Sequence, residues 1–364
     1  REISLTKIGK AKLEELDPEL SGLYASQKSR EELIVTALLA REFYHRGRQY
    51  LIDDEQLVIV DEFTGRMMPG RSWRQGLHQA IEAREKLPIS EPNETLAQLS
   101  FQNFFRLFRK LSGLTGTAQE TAPEFWEIYR LPVLVIPTHQ PCQRKTLANR
   151  FFSDQQSKWQ AICAEIGDCR LTGQPVLVGT KSVATSEKLA AMLDARQIPY
   201  QLLNAVKHRE EARIIASAGQ SGQVTIATNM AGRGADIKLG AEVGQVGGLH
   251  VILSEPHDSK RIDRQLQGRC ARQGDPGSVR MYASLDDLLL LENLPRSVLK
   301  TYRRLDRQPE RRNFVPELLI TRAQMVAQRK SCRQRKAVLA ADEMLSDALA
   351  FATTGVSISG GVKP

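Results

Sequence analysis

The sequence predicts an α/β fold: a parallel sheet with helices on both faces, preceded by an α+β piece and followed by a helical segment. Three observations carry this. From Leu131 to Asp287, short apolar runs alternate with stretches of helical period. Those runs are apolar on both faces, as strands must be when a parallel sheet is covered on each side. After Asp287 the period is helical and the residues turn basic.

In chain order, Glu31 to Gly47 predicts a helix with Leu33, Ala37, Leu38 and Phe43 on its apolar face. Gln49–Ile52 and Leu57–Val60 predict two strands, joined as a hairpin by Asp53-Asp54-Glu55. Trp73 to Arg84 predicts a helix with Trp73, Leu77, Ala80 and Ile81 on one side, and Asn103 to Leu111 another, rich in phenylalanine. Pro88 and Pro92 punctuate the loop between them. The alternating region then reads as strand Val133–Ile136, helix Ser157–Ile166, strand Val176–Val178, helix Ser182–Arg196, strand Gln201–Leu203 and helix His208–Ala218. Strands Val224–Ala227 and Leu249–Leu253, helix Asp258–Arg272 and strand Val279–Ala283 complete it. Leu319 to Phe351 predicts one long helix, with Ala341, Leu345, Ala348 and Ala352 on a stripe.

The 364 residues allow two or three domains, and 41% hydrophobic with 26% charged residues is ordinary for a globular protein. No apolar run approaches the ~20 residues that span a bilayer, and no signal peptide is read. Both ends read as cuts in a longer protein or as limits of order. Cys142, Cys163, Cys169, Cys270 and Cys332 are scattered, with no CxxC pair, so neither a zinc knuckle nor a disulfide framework is supported, and a reducing cytoplasm is the simplest setting. The net charge of +9 is concentrated: Arg296 to Lys336 holds 13 Lys/Arg against 3 Asp/Glu. Such a segment suits anionic lipid or nucleic acid, or equally the polar side of a helix packed on an acidic domain.

Two stretches carry the functional signal. V-T-I-A-T-N-M-A-G-R-G-A-D-I (Val224–Ile237) reads as a buried strand ending in a Gly-rich turn, where a parallel sheet binds ligands. R-I-D-R-Q-L-Q-G-R-C-A-R-Q-G-D (Arg261–Asp275) reads as a helix with Arg261, Gln265, Arg269 and Arg272 within about a quarter of its circumference. Three guanidiniums beside a Gly-rich strand end suit a polyphosphate; a solvated basic face is the alternative. Other strings mislead. Gly173 to Ser182 has the wrong spacing for the phosphate loop G-x-x-x-x-G-K-[ST], which is absent. Leu57 to Glu62 mimics a magnesium-holding strand, but a hairpin strand is the better reading. His78, His208, His250 and His257 lack metal-ligand spacing, and no metal site is expected.

The chain resembles the SecA preprotein translocase family. I-V-D-E-F-T-G-R (Ile59–Arg66), G-L-H-Q-A-I-E-A (Gly76–Ala83), T-L-A-Q-L-S-F-Q-N-F-F-R-L (Thr95–Leu107), L-S-G-L-T-G-T-A (Leu111–Ala118) and both functional stretches carry the resemblance; A-Q-M-V-A-Q-R-K (Ala323–Lys330) is similar only loosely. It implies an ATP-driven protein translocation motor with two RecA-like lobes clamping ATP. Residues 1–56 would end the preprotein cross-linking domain, 57–129 close the first lobe, 130–289 form the second RecA-like lobe, and 290–364 begin the helical scaffold.

On that resemblance Arg269 and Arg272 act as arginine fingers, Asp236 accepts hydrogen bonds from the sugar or neighbouring arginines, and Arg233 and Arg261 couple the site to lobe closure. Gly232, Gly234 and Gln265 complete the nucleotide contacts. Magnesium and the catalytic machinery would belong to the first lobe, so this chain alone is expected to be inactive as an ATPase. The implied partners are a preprotein and the membrane channel, with anionic lipid near Tyr302–Arg312 and self-association both open, at a cytoplasmic site peripheral to the inner membrane. A nucleic-acid helicase lobe and a non-catalytic interaction protein are the alternatives; the strings before Ala118 disfavour nucleic acid. The chain departs from the family at Ala235 (threonine in the family), at Cys270-Ala271 (Ser-Gly) and at Pro256 (arginine), departures that suit a diverged or accessory SecA-like protein.

Overall fold

The structure is a computed structural model describing residues 3–15, 26–61, 67–91, 99–203, 211–228, 236–305 and 315–354. It divides into two compact units, residues 1–95 with 169–240 and residues 96–168 with 241–364.

The first unit opens with α1 (Lys7–Glu15) and α2 (Gln27–Phe43), the latter capped by Ser26, whose Oγ accepts from the Ser29 amide. β1 (Tyr50–Asp53) and β2 (Gln56–Val60) form the expected hairpin, with β3 (Met67–Met68) on the far side of β2. Asp54 and Glu55 both take positive φ, 45° and 61°, the geometry of a two-residue turn that matches strand twist. Leu57–Val60 is therefore a hairpin strand, as its lack of an upstream phosphate loop implied; Glu62 lies outside the described residues. The helix expected from Trp73 is shorter: α3 is Leu77–Arg84, because Gln75 and Gly76 are left-handed. Trp73 still packs with Tyr44, Tyr50, Leu77, Ala40 and Ile81 in a small core.

In the second unit the phenylalanine-rich helix is α4 (Phe101–Arg106), six residues rather than Asn103–Leu111. Ser100 starts it early by accepting from the Asn103 amide. A 3-10 turn at Gln119–Thr121 leads into α5 (Ala122–Tyr129). The expected strand Val133–Ile136 does not form. Pro132 and Pro137 bracket it and remove two ladder donors. Its side chains are exposed, Leu134 at 81% and Ile136 at 76%.

Next come β4 (Arg144–Thr146), β5 (Arg150–Phe152), α6 (Gln155–Leu171), β6 (Val176–Thr180), α7 (Val183–Asp194), β7 (Gln201–Leu203), α8 (Glu211–Ser217), β8 (Val224–Thr228) and β9 (Leu249–Leu253). α9 (Lys260–Gln267), β10 (Gly277–Ser284), α10 (Leu288–Asn293), α11 (Arg296–Leu305) and α12 (Val315–Thr354) follow. The seven-stranded parallel sheet has the order β4-β10-β9-β6-β8-β7, with β5 beside the end of β10. β6, β8 and β9 are buried at every position, as coverage on both faces demands.

Candidate functional site

In the first unit, β6 and β8 run in register from Val176↔Val224 to Thr180↔Thr228, which brings two threonines level at the carboxyl ends of the strands. Thr180 Oγ1 donates to Ala227 O at 3.4 Å. Thr228 Oγ1 is buried and has no hydrogen-bond partner among the described residues. A buried hydroxyl in that state costs free energy unless something reaches it. The turn that follows carries Gly232, Arg233 and Gly234, which lie outside the described residues. Asp236, the next candidate, is exposed.

In the second unit, β9 ends in a buried run, Ser254, Glu255 and His257, before α9. Ser259 caps that helix, its Oγ accepting from the Arg261 amide at 3.2 Å. Arg261 and Gln265 share one face, as their spacing of four requires. Gln265 Nε2 donates to Thr117 Oγ1 at 3.4 Å, and Arg264 pairs with Glu120. α9 is thereby seated on the T-G-T-A segment.

The expected helix to Arg272 stops at Gln267. Gly268 is its C-cap, and Ala271, Gln273 and Gly274 then take left-handed φ of 54°, 53° and 90°. Arg269 and Arg272 therefore sit in the turn after α9, not on its face. Arg272 Nε folds back onto Gly268 O at 2.9 Å, and Arg144 Nη1 donates to Gln267 O at 3.1 Å. Two guanidiniums thus serve the carbonyls at the negative end of the helix. The structure groups Arg261 with Gln265, and Arg269 with Arg272; Asp236 belongs to the first unit.

Two buried clusters escape the sequence reading. His257 donates its amide to Asp263 Oδ1 at 3.0 Å and holds the same oxygen through Nδ1 at 2.6 Å. Gln324, from α12, donates to His257 O at 2.8 Å and to Asp263 Oδ2 at 2.6 Å, tying α9 to the long helix. Further in, Glu165 meets His250 Nε2 at 2.9 Å, Arg280 Nη1 at 2.7 Å and the Tyr282 hydroxyl, while His250 Nδ1 meets Ser278 Oγ at 2.7 Å. Burial alone would raise the Glu165 carboxyl, but the hydrogen bonds from His250, Tyr282 and Arg280 outweigh it and bring it down to about 2. The Ser-His-Glu order imitates a nucleophilic triad, yet Ser278 is 9% exposed and Glu165 is committed to two further donors. This is structural chemistry. His250 and His257 are core histidines, as is His78; His208 lies outside the described residues. Apart from His257–Asp263, six residues apart, and His250–Ser278, 28 apart, these partners come from positions 61 to 117 residues apart, so the local sequence does not mark them. No group of three His, Cys, Asp or Glu that could hold a metal occurs among the described residues.

A profile of the SecA P-loop domain matches residues 141–245 and 241–308, and one of the SecA preprotein cross-linking domain matches residues 1–82. Protein translocase subunit SecA 2 of Chlorobium chlorochromatii is 44% identical over 357 residues, 98% of this chain and 54% of that protein. SecA 2 of Magnetococcus marinus is 47% identical over 332 residues, 91% of this chain and 51% of that protein. SecA of Elusimicrobium minutum is 52% identical over 263 residues, covering 70% and 30%. The chain spans about half the length of the first two relatives. Among solved structures, the E. coli DEAD-box protein SrmB aligns at a TM-score of 0.33 and 20% identity over 44% of this chain and 87% of that one, too weak a likeness to argue from. With SecA profiles over residues 1–82 and 141–308 and SecA relatives at 44–52% identity, the chain belongs to the SecA protein translocase family.

Proposed function

We propose that this chain is the ATP-closing part of a SecA-type translocation motor: the second RecA-like lobe (130–289), with the end of the cross-linking domain (1–56), the closing segment of the first lobe (57–129) and the start of the helical scaffold (290–364). The observation that supports this most is α9, which is seated on the T-G-T-A segment and is followed at once by the two guanidiniums of Arg269 and Arg272. Guanidiniums suit phosphate charge. ATP would supply the phosphoryl transfer that drives movement. Arg269 and Arg272 would neutralise charge on the transferred phosphate. Arg261 and Gln265 would brace them, and Arg233 would couple the site to closure of the lobes. Asp236 would hold the sugar, and Gly232 and Gly234 would let the backbone approach. Magnesium would be held by residues of a first lobe, since the sequence has no phosphate loop to place it.

On this reading the chain acts at the cytoplasmic face of the membrane, with a preprotein and the translocation channel as partners. No described helix is long and apolar enough to cross a membrane. The test is ATP turnover by the purified chain and by the chain joined to a first lobe. The chain alone is expected to turn over no ATP. The joined protein is expected to do so, and Arg269→Ala or Arg272→Ala to lower its rate by ~10³-fold or more. Robust turnover by the chain alone, or indifference of the joined protein to both substitutions, refutes the assignment.

A further inference from the structure

The fold brings two distant cysteines to the end of α9. Cys270 is 2% exposed, with Sγ 3.4 Å from Gln267 O and 3.7 Å from Ser278 O. Cys142 is exposed. The segment bearing Cys142 runs along the turn that bears Cys270. β4 pairs with β10 so that Arg144 is level with Gly277, and a Cβ built on Gly277 would lie 2.9 Å from the Cβ of Cys270. A Cβ on Gly274 would lie 2.0 Å from Gln140 Oε1. Gln140 and Arg144 thus touch the 267–277 stretch on either side of Cys142. Arg144 Nη1 reaches Gln267 O at 3.1 Å, so Cys142 lies on the chain between two points of contact with that stretch. The Cys142 thiol and the guanidiniums of Arg144 and Arg272 all bear on the ionisation of Cys270.

We infer that Cys142 and Cys270 form a thiol pair that closes to a disulfide under oxidation and fixes the turn carrying Arg269 and Arg272. A low-molecular-weight disulfide such as oxidised glutathione supplies the oxidising equivalents. The exposed Cys142 thiolate attacks it, one glutathione thiolate leaves and takes a proton from water, and Cys142 carries a mixed disulfide. Cys270 then gives its proton to solvent and attacks the Cys142 sulfur. The intramolecular S–S bond forms and the second glutathione leaves as thiolate. Two protein thiols are oxidised and one glutathione disulfide is reduced. Burial pushes the Cys270 thiol up to about 11, with Arg144 pulling it down, so closure is the slow step and quickens as pH rises. Closure also draws Cys270 away from Gln267 O and Ser278 O, which holds the turn in a new position. The pairing does not depend on the nucleotide reading; only its consequence for phosphate contacts does.

The test treats the whole chain with oxidised glutathione at about pH 8 and maps disulfides by peptide mass spectrometry without reduction. A Cys142–Cys270 peptide should dominate, disappear on reduction, and be absent from Cys142→Ser and Cys270→Ser. Cys163, Cys169 and Cys332 serve as internal controls. Tryptic cleavage after Arg269 and Arg272 should slow several-fold on oxidation of the wild-type chain and stay unchanged in Cys142→Ser. Stable glutathionylation of Cys142 with Cys270 still a thiol, or cross-links spread evenly over the five cysteines, overturns the pairing. A cross-link that leaves cleavage unchanged overturns the locking of the turn.

Discussion

Replacing Glu165 by glutamine should destabilise the second unit by about 3 kcal/mol at neutral pH, and the loss should fade in acid. The magnitude follows from the carboxyl's surroundings. Glu165 is 7% exposed, and burial would raise its pKa, but donors on His250, Tyr282 and Arg280 bring it from 4.5 to about 2. At ~1.4 kcal/mol per pH unit, that preference of the folded state for the carboxylate is worth about 3 kcal/mol. Because the folded value lies below the unfolded one, the stabilisation is complete above pH 4.5 and drains away as pH falls towards about 2. At a pH of about 3.5 the wild-type advantage should have shrunk to about 2 kcal/mol. Trp159 lies buried on the same helix as Glu165, so urea unfolding followed by its fluorescence, with Trp73 and Trp126 changed to phenylalanine, reports on the right place. Equal stability of variant and wild type at neutral pH, or a gap that does not narrow in acid, would refute the account of the cluster.

Lys158→Ala should cost about 3–5 kcal/mol, because it strands the Asp287 carboxylate; both side chains are 1% exposed, and Asp287 also accepts from the Ser284 amide at 2.8 Å. Adding Asp287→Asn should recover part of that loss in the same urea assay. Gln324→Leu leaves Asp263 Oδ2 and His257 O without their donor, so about 1–3 kcal/mol should be lost and amide hydrogen exchange over His257–Asp263 should quicken. Unchanged exchange there would mean that α12 does not steady the start of α9. Gly248→Ala should lower the melting temperature: φ there is +73°, and the added Cβ would fall 1.9 Å from Pro276 O, so the backbone must move.

The contrast between elements shows where sequence stops informing. β6, β8 and β9 are legible because burial on both faces leaves only apolar residues, a signal that belongs to the strand itself. β4 and β5 are invisible for the opposite reason. Arg144-Lys145-Thr146 and Arg150-Phe151-Phe152 are three residues each, and they are strands only because β10, about 130 residues later, pairs with them. Val133–Ile136 carries the strand signal and forms none, with Val135 still 75% exposed. Hydrophobicity states a need for burial and does not supply the partner.

The same distinction governs the candidate site. The face shared by Arg261 and Gln265 follows from spacing alone, and Gly268 already stands in the sequence as a stop signal. The arginine spacing hides that signal, since Arg269 and Arg272 continue the helical pattern through residues that are not helical. What places them is backbone: Ala271 and Gln273 at φ of 54° and 53°, conformations neither residue type prefers. Such geometry has to be held by neighbours, and the neighbours are identifiable. Arg144 caps Gln267, Arg272 caps Gly268, and Gly277 lies so close to Cys270 and Ala271 that no side chain fits. The reach of the two guanidiniums is therefore set by a turn braced from β4 and β10, so changes at Arg144 or Gly277 should disturb them even though neither residue belongs to the motif.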